Sequence, residues 1–461
     1  MSITIANVAP VSAVKDRAKV REFLQRREFL RFPVLVRAAL GRALGVGIST
    51  PIQRQLEVAR TVTEIIADVL KNQDEALLEW TEKLDNVSLK VPEQIRVSDE
   101  KISQTFAKVS EDFLALARRA VANIKAYQES IKVAAQPALR RGDRELAVRY
   151  VPVDRVGVYV PGGRAFYPST VLMTVVPAQV AGVKEIAIAS PPTSNGDVNP
   201  MVLALARELG VREIYRIGGA QAIAALACGT FKIPRVDMIV GPGNAYVAEA
   251  KRQVSGRVRI DSIAGPSEVL IVADDSARPD WIAADMLAQA EHDPGSAVLV
   301  TESETLAKLV AVSIDEQVPS LDRRDAIRKA IDEASLIIVT AKWGQTCGVA
   351  DDYAAEHLQI IVRPEDEQKV LAKIRHAGAI FVGPYTPVPL GDYYAGPSHV
   401  LPTGGTARFF SGLSCNDFLK ASSVIRYGKA ALNEDADDVI DFATREGLTA
   451  HAHAVRMRKE T

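Results

Sequence analysis

At 461 residues the chain is long enough for two or three domains rather than one. Its 48% hydrophobic and 25% charged residues are ordinary for a soluble globular protein, and a net charge of −1 offers no electrostatic grip on nucleic acid or acidic lipid. Three cysteines, Cys228, Cys347 and Cys415, lie far apart without a CxxC pair, which argues against a disulfide framework or thiolate metal site and fits a reducing cytoplasm.

In chain order, Phe29 to Thr50 is apolar in patches, but Arg31, Arg37 and Arg42 interrupt it and Pro33 breaks it. No stretch approaches the roughly 20 apolar residues that a membrane span requires. Lys15 to Gly45 reads as amphipathic helices with a solvated basic face, or as a helical arm packed on a partner subunit. Val58, Val62, Ile65, Ile66, Val69, Leu70, Leu77, Leu78 and Trp80 recur at helical spacing, and helices continue from Ser98 to Val133.

From Val151 the period changes. Short apolar strands are predicted at 155–160, 185–190, 213–217, 236–240 and 268–273, with helices at 200–210, 220–229 and 245–254 between them. The alternation resumes with a helix over 279–292 and strands at 297–301, 336–340, 358–362 and 379–382. Continuous apolar strands alternating with helices predict a parallel sheet covered on both faces. The expected fold class is α/β: two Rossmann-like parallel-sheet units lacking GxGxxG, with helical N-terminal and C-terminal segments. The expected division is a helical arm (1–60), a first α/β domain (61–154 plus 265–413), a second (155–264) and a C-terminal helical tail (414–461).

Four of the six histidines fall in short polar motifs, namely Met286-Leu-Ala-Gln-Ala-Glu-His-Asp-Pro294, Ala355-Glu-His-Leu358, the loop Gly391 to Pro402 with Asp392 and His399, and the C-terminal stretch with Glu446 and His451. Such groups at the ends of helices and strands are where α/β proteins keep their chemistry. Gly162-Gly163, Gly218-Gly219 and Gly241-Pro-Gly-Asn244 each follow a strand. Turns of this kind offer backbone N–H groups to a pyrophosphate, although glycines serving only tight turns would look the same. Gln289 and His292, at i and i+3, share a helix face. With Asp392 and His451 they could form an O/N set suited to zinc or manganese. A surface Gln–His pair fits the same spacing, and spacing does not choose between His451 and His453.

From about Thr61 onward the chain resembles the histidinol dehydrogenases. The likeness is densest in Val156–Gly163, Gly218–Gln221, Ile239–Asn244, Ile263–Glu268, Ala288–Asp293, Ala355–Leu358 and Glu446–His451. The resemblance implies a zinc-dependent, NAD-linked cytoplasmic homodimer that takes L-histidinol through the aldehyde to L-histidine, with one zinc per subunit. It puts the metal ligands on Gln289, His292, Asp392 and His451, and NAD contacts on Tyr159, Gln221 and Asn244. Substrate contacts fall on Ser267, His399 and Glu446, besides His357 and the metal ligands, and the acid–base pair on Glu356 and His357. His357 would then be the base for the hydroxyl proton, Glu356 would activate water for the second oxidation, and the zinc would orient the substrate. No cysteine is needed, so Cys228, Cys347 and Cys415 are expected in the core.

Two features depart from the family pattern: Ser398 stands where asparagine usually precedes His399, and the lead-in before Arg60 is longer. The alternative expectation is therefore a paralogous zinc- and NAD-dependent dehydrogenase of another small polar alcohol, such as a sulfonated diol. A non-catalytic binding protein on the same scaffold is a third.

Overall fold

The computed structural model describes residues 3–7, 50–162, 167–292 and 295–459. The helices expected between Lys15 and Gly45 lie outside the described residues, as do Gly163, Asp293 and Pro294.

Two parallel sheets carry the α/β body, as the apolar strand pattern predicted. The larger has six strands: β1 (Ile5–Asn7), β9 (Ser267–Ala273), β10 (Gly295–Thr301), β11 (Leu336–Val339), β12 (Ala355–Ile361) and β13 (Ala377–Val382), in the order β1-β11-β10-β9-β12-β13. The smaller has five: β4 (Arg155–Tyr159), β5 (Glu185–Ala189), β6 (Glu213–Tyr215), β7 (Met238–Val240) and β8 (Arg259–Ile260), in the order β6-β5-β4-β7-β8. Alternation sends Val269, Ile271 and Ala273 of β9 into one hydrophobic layer, and Leu270 and Val272 into the other. Burial on both faces explains why these strands read as unbroken apolar runs.

Three expectations need correction. Residues 5–7, assigned to a helical arm, are an edge strand paired in parallel with β11. A three-residue strand is too short to leave a period in the sequence. The helices of 61–154, expected beside the six-stranded sheet, pack instead on the five-stranded one. These are α1 (Thr50–Asp85, interrupted at Gln73), α2 (Asp99–Phe106) and α3 (Glu111–Ile131). Val62, Ile65 and Leu77 share a core with Tyr159 and Ile223, while Ile102, Ala117 and Ile124 share the opposite core with Val156 and Val158.

Finally, the C-terminal segment does not stay helical from Asn416: a single 3₁₀ turn, Cys415–Phe418, gives way to a strand. Leu419–Tyr427 (β14) pairs antiparallel with β3 (Arg144–Pro152), which also pairs with β2 (Leu139–Arg141), making a third, three-stranded sheet. Most of its residues are solvent-exposed, so no hydrophobic run announced it. Two further helices, Lys429–Arg445 and Thr449–Lys459, pack on one another. They hang from this sheet through Arg144, whose guanidinium meets Glu434 and Asp435 at 2.7 and 2.6 Å.

Candidate active site

The loop after β13 joins the two units. It contains a short helix, Val388–Tyr393, and runs on to Leu401. Gly396 takes a φ of 122° where a Cβ would press on the carbonyl of Asn123, and the Asn123 amide donates to the Tyr394 carbonyl at 3.0 Å. Ser398 donates to the Met173 carbonyl at 2.9 Å, and His399 Nε2 lies 3.3 Å from Thr170 Oγ1. Thr170 and Met173 belong to the helix Ser169–Ala181 (α4), which follows β4. The amino edge of the six-stranded sheet thereby meets the carboxyl edge of the five-stranded sheet.

Register brings the first group together at that amino edge. Ser267 pairs with Gly295 and Val269 with His357, so β9, β10 and β12 begin side by side. Alternation turns Glu356 and His357 to opposite faces, yet both meet Glu268: its N–H donates to Glu356 Oε2 at 2.9 Å, and its carbonyl lies 3.2 Å from His357 Nδ1. A carbonyl only accepts, so this contact keeps a proton on Nδ1 and leaves Nε2 as the basic nitrogen. Nε2 is buried and makes no hydrogen bond among the described residues, with Asp392 Oδ1 3.5 Å away.

Electrostatics sets these groups apart. Burial pushes the Glu356 carboxyl up to about 7, against the opposing pull of His357 and the Glu268 N–H. Burial alone would lower His357, but the Glu356 carboxylate, 3.6 Å from Nδ1, and then Asp392 outweigh it and raise the imidazole to about 9. Burial also disfavours charge on Asp392, but His357, His399 and His292 around it hold its carboxyl below the usual range. His292 and His399 are both lowered, chiefly by burial, and so favour the neutral imidazole.

Gln289 lies on the helix Pro279–Ala290, with His292 in the turn behind it. That turn runs into Gly295, where a Cβ would collide with the carbonyls of Gln289 and His292, so only glycine lets β10 start so close to the helix. The Gln289 amide is buried, with its nitrogen unpartnered among the described residues. Turned so that its oxygen takes the place of the unpartnered nitrogen, the Gln289 amide would join a neutral imidazole and an ionised carboxylate in a donor set that fits a borderline divalent ion. Among the described residues no group of three or more His, Cys, Asp or Glu is poised to hold a metal. Glu446 and His451 stand exposed on the terminal helices, and the structure does not bring them to Gln289, His292 and Asp392. A cavity of about 410 Å³ opens beside Asp392, His399 and Phe381. A second hollow, about 460 Å³ and edged by Arg235, Arg257 and Arg259, contains none of these residues.

The glycine turns line the carboxyl edge of the five-stranded sheet. Tyr159 ends β4, and its hydroxyl accepts from the Gly219 N–H at 3.1 Å. Gln221 is fully buried with neither amide atom partnered among the described residues. Asn244 caps the helix Ala245–Val254 by accepting from Tyr246 and Val247 N–H. Gly219 and Gly241 need their positive φ of 61° and 113°, whereas Gly162 and Gly218 are small because Pro191 packs against them. The two unpaired amide atoms of Gln221 fit a cofactor with hydrogen-bonding groups to spare. Two contributors were missed from sequence. Glu268 was quoted in a motif but given no role, and Thr170 was not singled out; their positions depend on strand register and loop packing, which leave no local signal. Of the three cysteines, Cys347 and Cys415 are buried and Cys228 partly so; all are free thiols.

A family model described as histidinol dehydrogenase matches residues 49–459. Histidinol dehydrogenase from Geobacillus kaustophilus is 48% identical over 405 residues, covering 88% of this chain and 94% of that protein. The Rhodopirellula baltica histidinol dehydrogenase is 45% identical over 448 residues, 97% of this chain and 95% of that one, so its likeness extends into the N-terminal lead-in. The crystal structure of histidinol dehydrogenase from Elizabethkingia anophelis matches with a TM-score of 0.83 and 34% identity, over 87% of this chain and 92% of that chain.

Proposed function

The chain belongs to the histidinol dehydrogenase family of oxidoreductases, and from that premise we propose that it oxidises L-histidinol through L-histidinal to L-histidine, as a zinc- and NAD-dependent homodimer in the cytoplasm. The observation that carries the reading is the buried pair Glu356–His357, with one imidazole nitrogen tied to the Glu268 carbonyl and the other 3.5 Å from the Asp392 carboxylate. In its neutral form, with the proton on Nδ1, His357 takes the hydroxyl proton on Nε2 in the first oxidation; the pull of Asp392 toward imidazolium would weaken once a metal ion shares that carboxylate. Glu356, with a carboxyl near 7, takes a proton from the water that adds to the aldehyde. Ser267 and His399, with Glu446 of the partner subunit, contact the substrate. Gln289, His292 and Asp392, with His451 of the partner subunit, would hold the zinc. Bound there, it supplies a Lewis-acid anchor that orients the substrate's nitrogen atoms. Tyr159, Gln221 and Asn244 contact NAD, which accepts one hydride in each half-reaction.

Alcohol, water and two NAD give carboxylate, two NADH and three protons. Purified protein is expected to form two NADH per histidinol consumed. Turnover of small diols but not histidinol would favour a paralogous dehydrogenase, and turnover of neither would favour a binding protein. Ser398 gives the paralogue no support: its hydroxyl is engaged by the Met173 carbonyl and the Val400 N–H.

A further inference from the structure

In dinucleotide-binding units, an acidic residue near the end of the second strand commonly accepts the ribose hydroxyls of NAD. Here the second strand of the five-stranded unit, β5, runs into Ser190-Pro-Pro-Thr193, which has no acid. A carboxylate arrives at this edge from elsewhere in the chain. Asp85 is the last residue of α1, and after Asn86 the chain buries Val87 and Leu89 in the same core as Tyr159. Asp85 Oδ2 is shut off from solvent and has no hydrogen-bond partner among the described residues. Burial above all, and in smaller part the Asp85 charge, raise the Tyr159 hydroxyl, which accepts from the N–H of Gly219. Gln221, two residues on, is buried with both amide atoms unpartnered among the described residues. Burial raises the Asp85 carboxyl to about 6, and the segment that follows it packs in the core shared by Tyr159 and by Ala220 and Ala222, the neighbours of Gln221.

The two faces of the sheet show which half of a dinucleotide lies here. His399 meets the start of α4, whose core contains Val156, Val158 and Val160. Tyr159 and the segment after Asp85 belong to the core on the opposite face. The ring that reacts must face His357 and His399, which leaves the far face for the adenosine half. We infer that Asp85 is a cofactor-binding residue whose carboxylate accepts the hydroxyls of the adenosine ribose of NAD and selects against a 2′-phosphate. This rests on the NAD-linked reading above. A 2′-phosphate would remove one donor and set its negative charge against the carboxylate.

The test is calorimetric titration of the full-length protein with NAD and with NADP, alongside thermal unfolding with and without NAD. Wild type is expected to prefer NAD. Asp85→Asn and Asp85→Ser are expected to lower the NAD-over-NADP affinity ratio by about tenfold or more, through loss of charge-assisted hydrogen bonds and of repulsion. The stabilisation that NAD confers should shrink as well, while the unliganded Asn variant melts no lower than wild type at neutral pH, because a buried unpaired charge has been removed. Unchanged discrimination in a folded variant overturns the inference and leaves the NAD-linked reading standing. Wild-type protein that binds neither dinucleotide overturns both, and wild-type protein that prefers NADP overturns the inference.

Discussion

Neighbours in sequence, Glu356 and His357 leave opposite faces of β12, and Glu268 on the adjacent strand binds both. Its N–H draws Glu356 in and its carbonyl assigns the His357 tautomer. Different jobs for the two residues lead to different lesions. His357→Asn is expected to slow both oxidations by about 100-fold or more, the usual scale for losing a general base. Glu356→Gln is expected to impair the aldehyde half-reaction on that scale while leaving the first hydride step nearly intact, because only the second step consumes water. Single-turnover measurements starting from alcohol and from aldehyde separate these outcomes, and an equal loss in the first step would refute the assignment. The sign of the pH dependence follows from the raised carboxyl. Glu356 accepts a proton only when ionised, so the aldehyde step should fall as pH drops through about 7, and the Gln variant should lack that limb.

At the scale of elements, the turn after β7 is fixed by a buried charge pair. Lys251, on the helix Ala245–Val254, is ion-paired with Asp261 and also donates to the Gly241 carbonyl at 3.1 Å. Asp261 accepts from the Gly241 N–H at 2.7 Å. Both side chains are almost fully buried, at 2% and 3% exposed. Lys251→Met would leave Asp261 desolvated without its partner, a lesion that costs about 3–5 kcal/mol. Denaturant unfolding is expected to show that loss, with weaker NAD binding from a loosened Gly241 turn. Adding Asp261→Asn should recover much of the stability. A single variant as stable as wild type would show that the pair does not hold the turn.

Over the whole molecule, the residues proposed for the site are split. Gln289, His292 and Asp392 lie in the body, whereas Glu446 and His451 project on a helical pair that bears exposed Phe442, Val439 and Met457. A two-fold dimer that exchanges this tail would complete both sites and cover that apolar surface. Mixing a His357→Asn chain with a His451→Ala chain under subunit exchange then places one intact site in each heterodimer. Random pairing is expected to restore about a quarter of wild-type activity, since half the dimers have one of two sites whole. Confirmed heterodimers without activity would rule out the shared site. Elemental analysis is expected to find one zinc per subunit, and chelation should abolish turnover while leaving the circular dichroism of the α/β core unchanged. Full activity in metal-free protein would contradict this.

Apolar runs such as those of β10 and β11 exposed the parallel sheets in the sequence, because burial on both faces leaves a run that local pattern can register. The glycine turns and the Glu356–His357 motif were legible for a related reason: each is a short contiguous stretch. The third sheet was not, since β3 and β14 are mostly exposed and lie some 270 residues apart in the chain. Nor was the allegiance of α1 to α3, which depends on which of two similar apolar layers their faces cover. The motifs supplied candidate residues but not their assembly. That Glu268 serves both members of the pair, that Asp85 ends a helix packed on the five-stranded sheet, and that Glu446 and His451 stand exposed on the terminal helices all follow from packing between distant segments. Periodicity records only a residue's relation to its neighbours along the chain; register, sheet order and the path of the tail are relations through space, and the tertiary structure alone decides them.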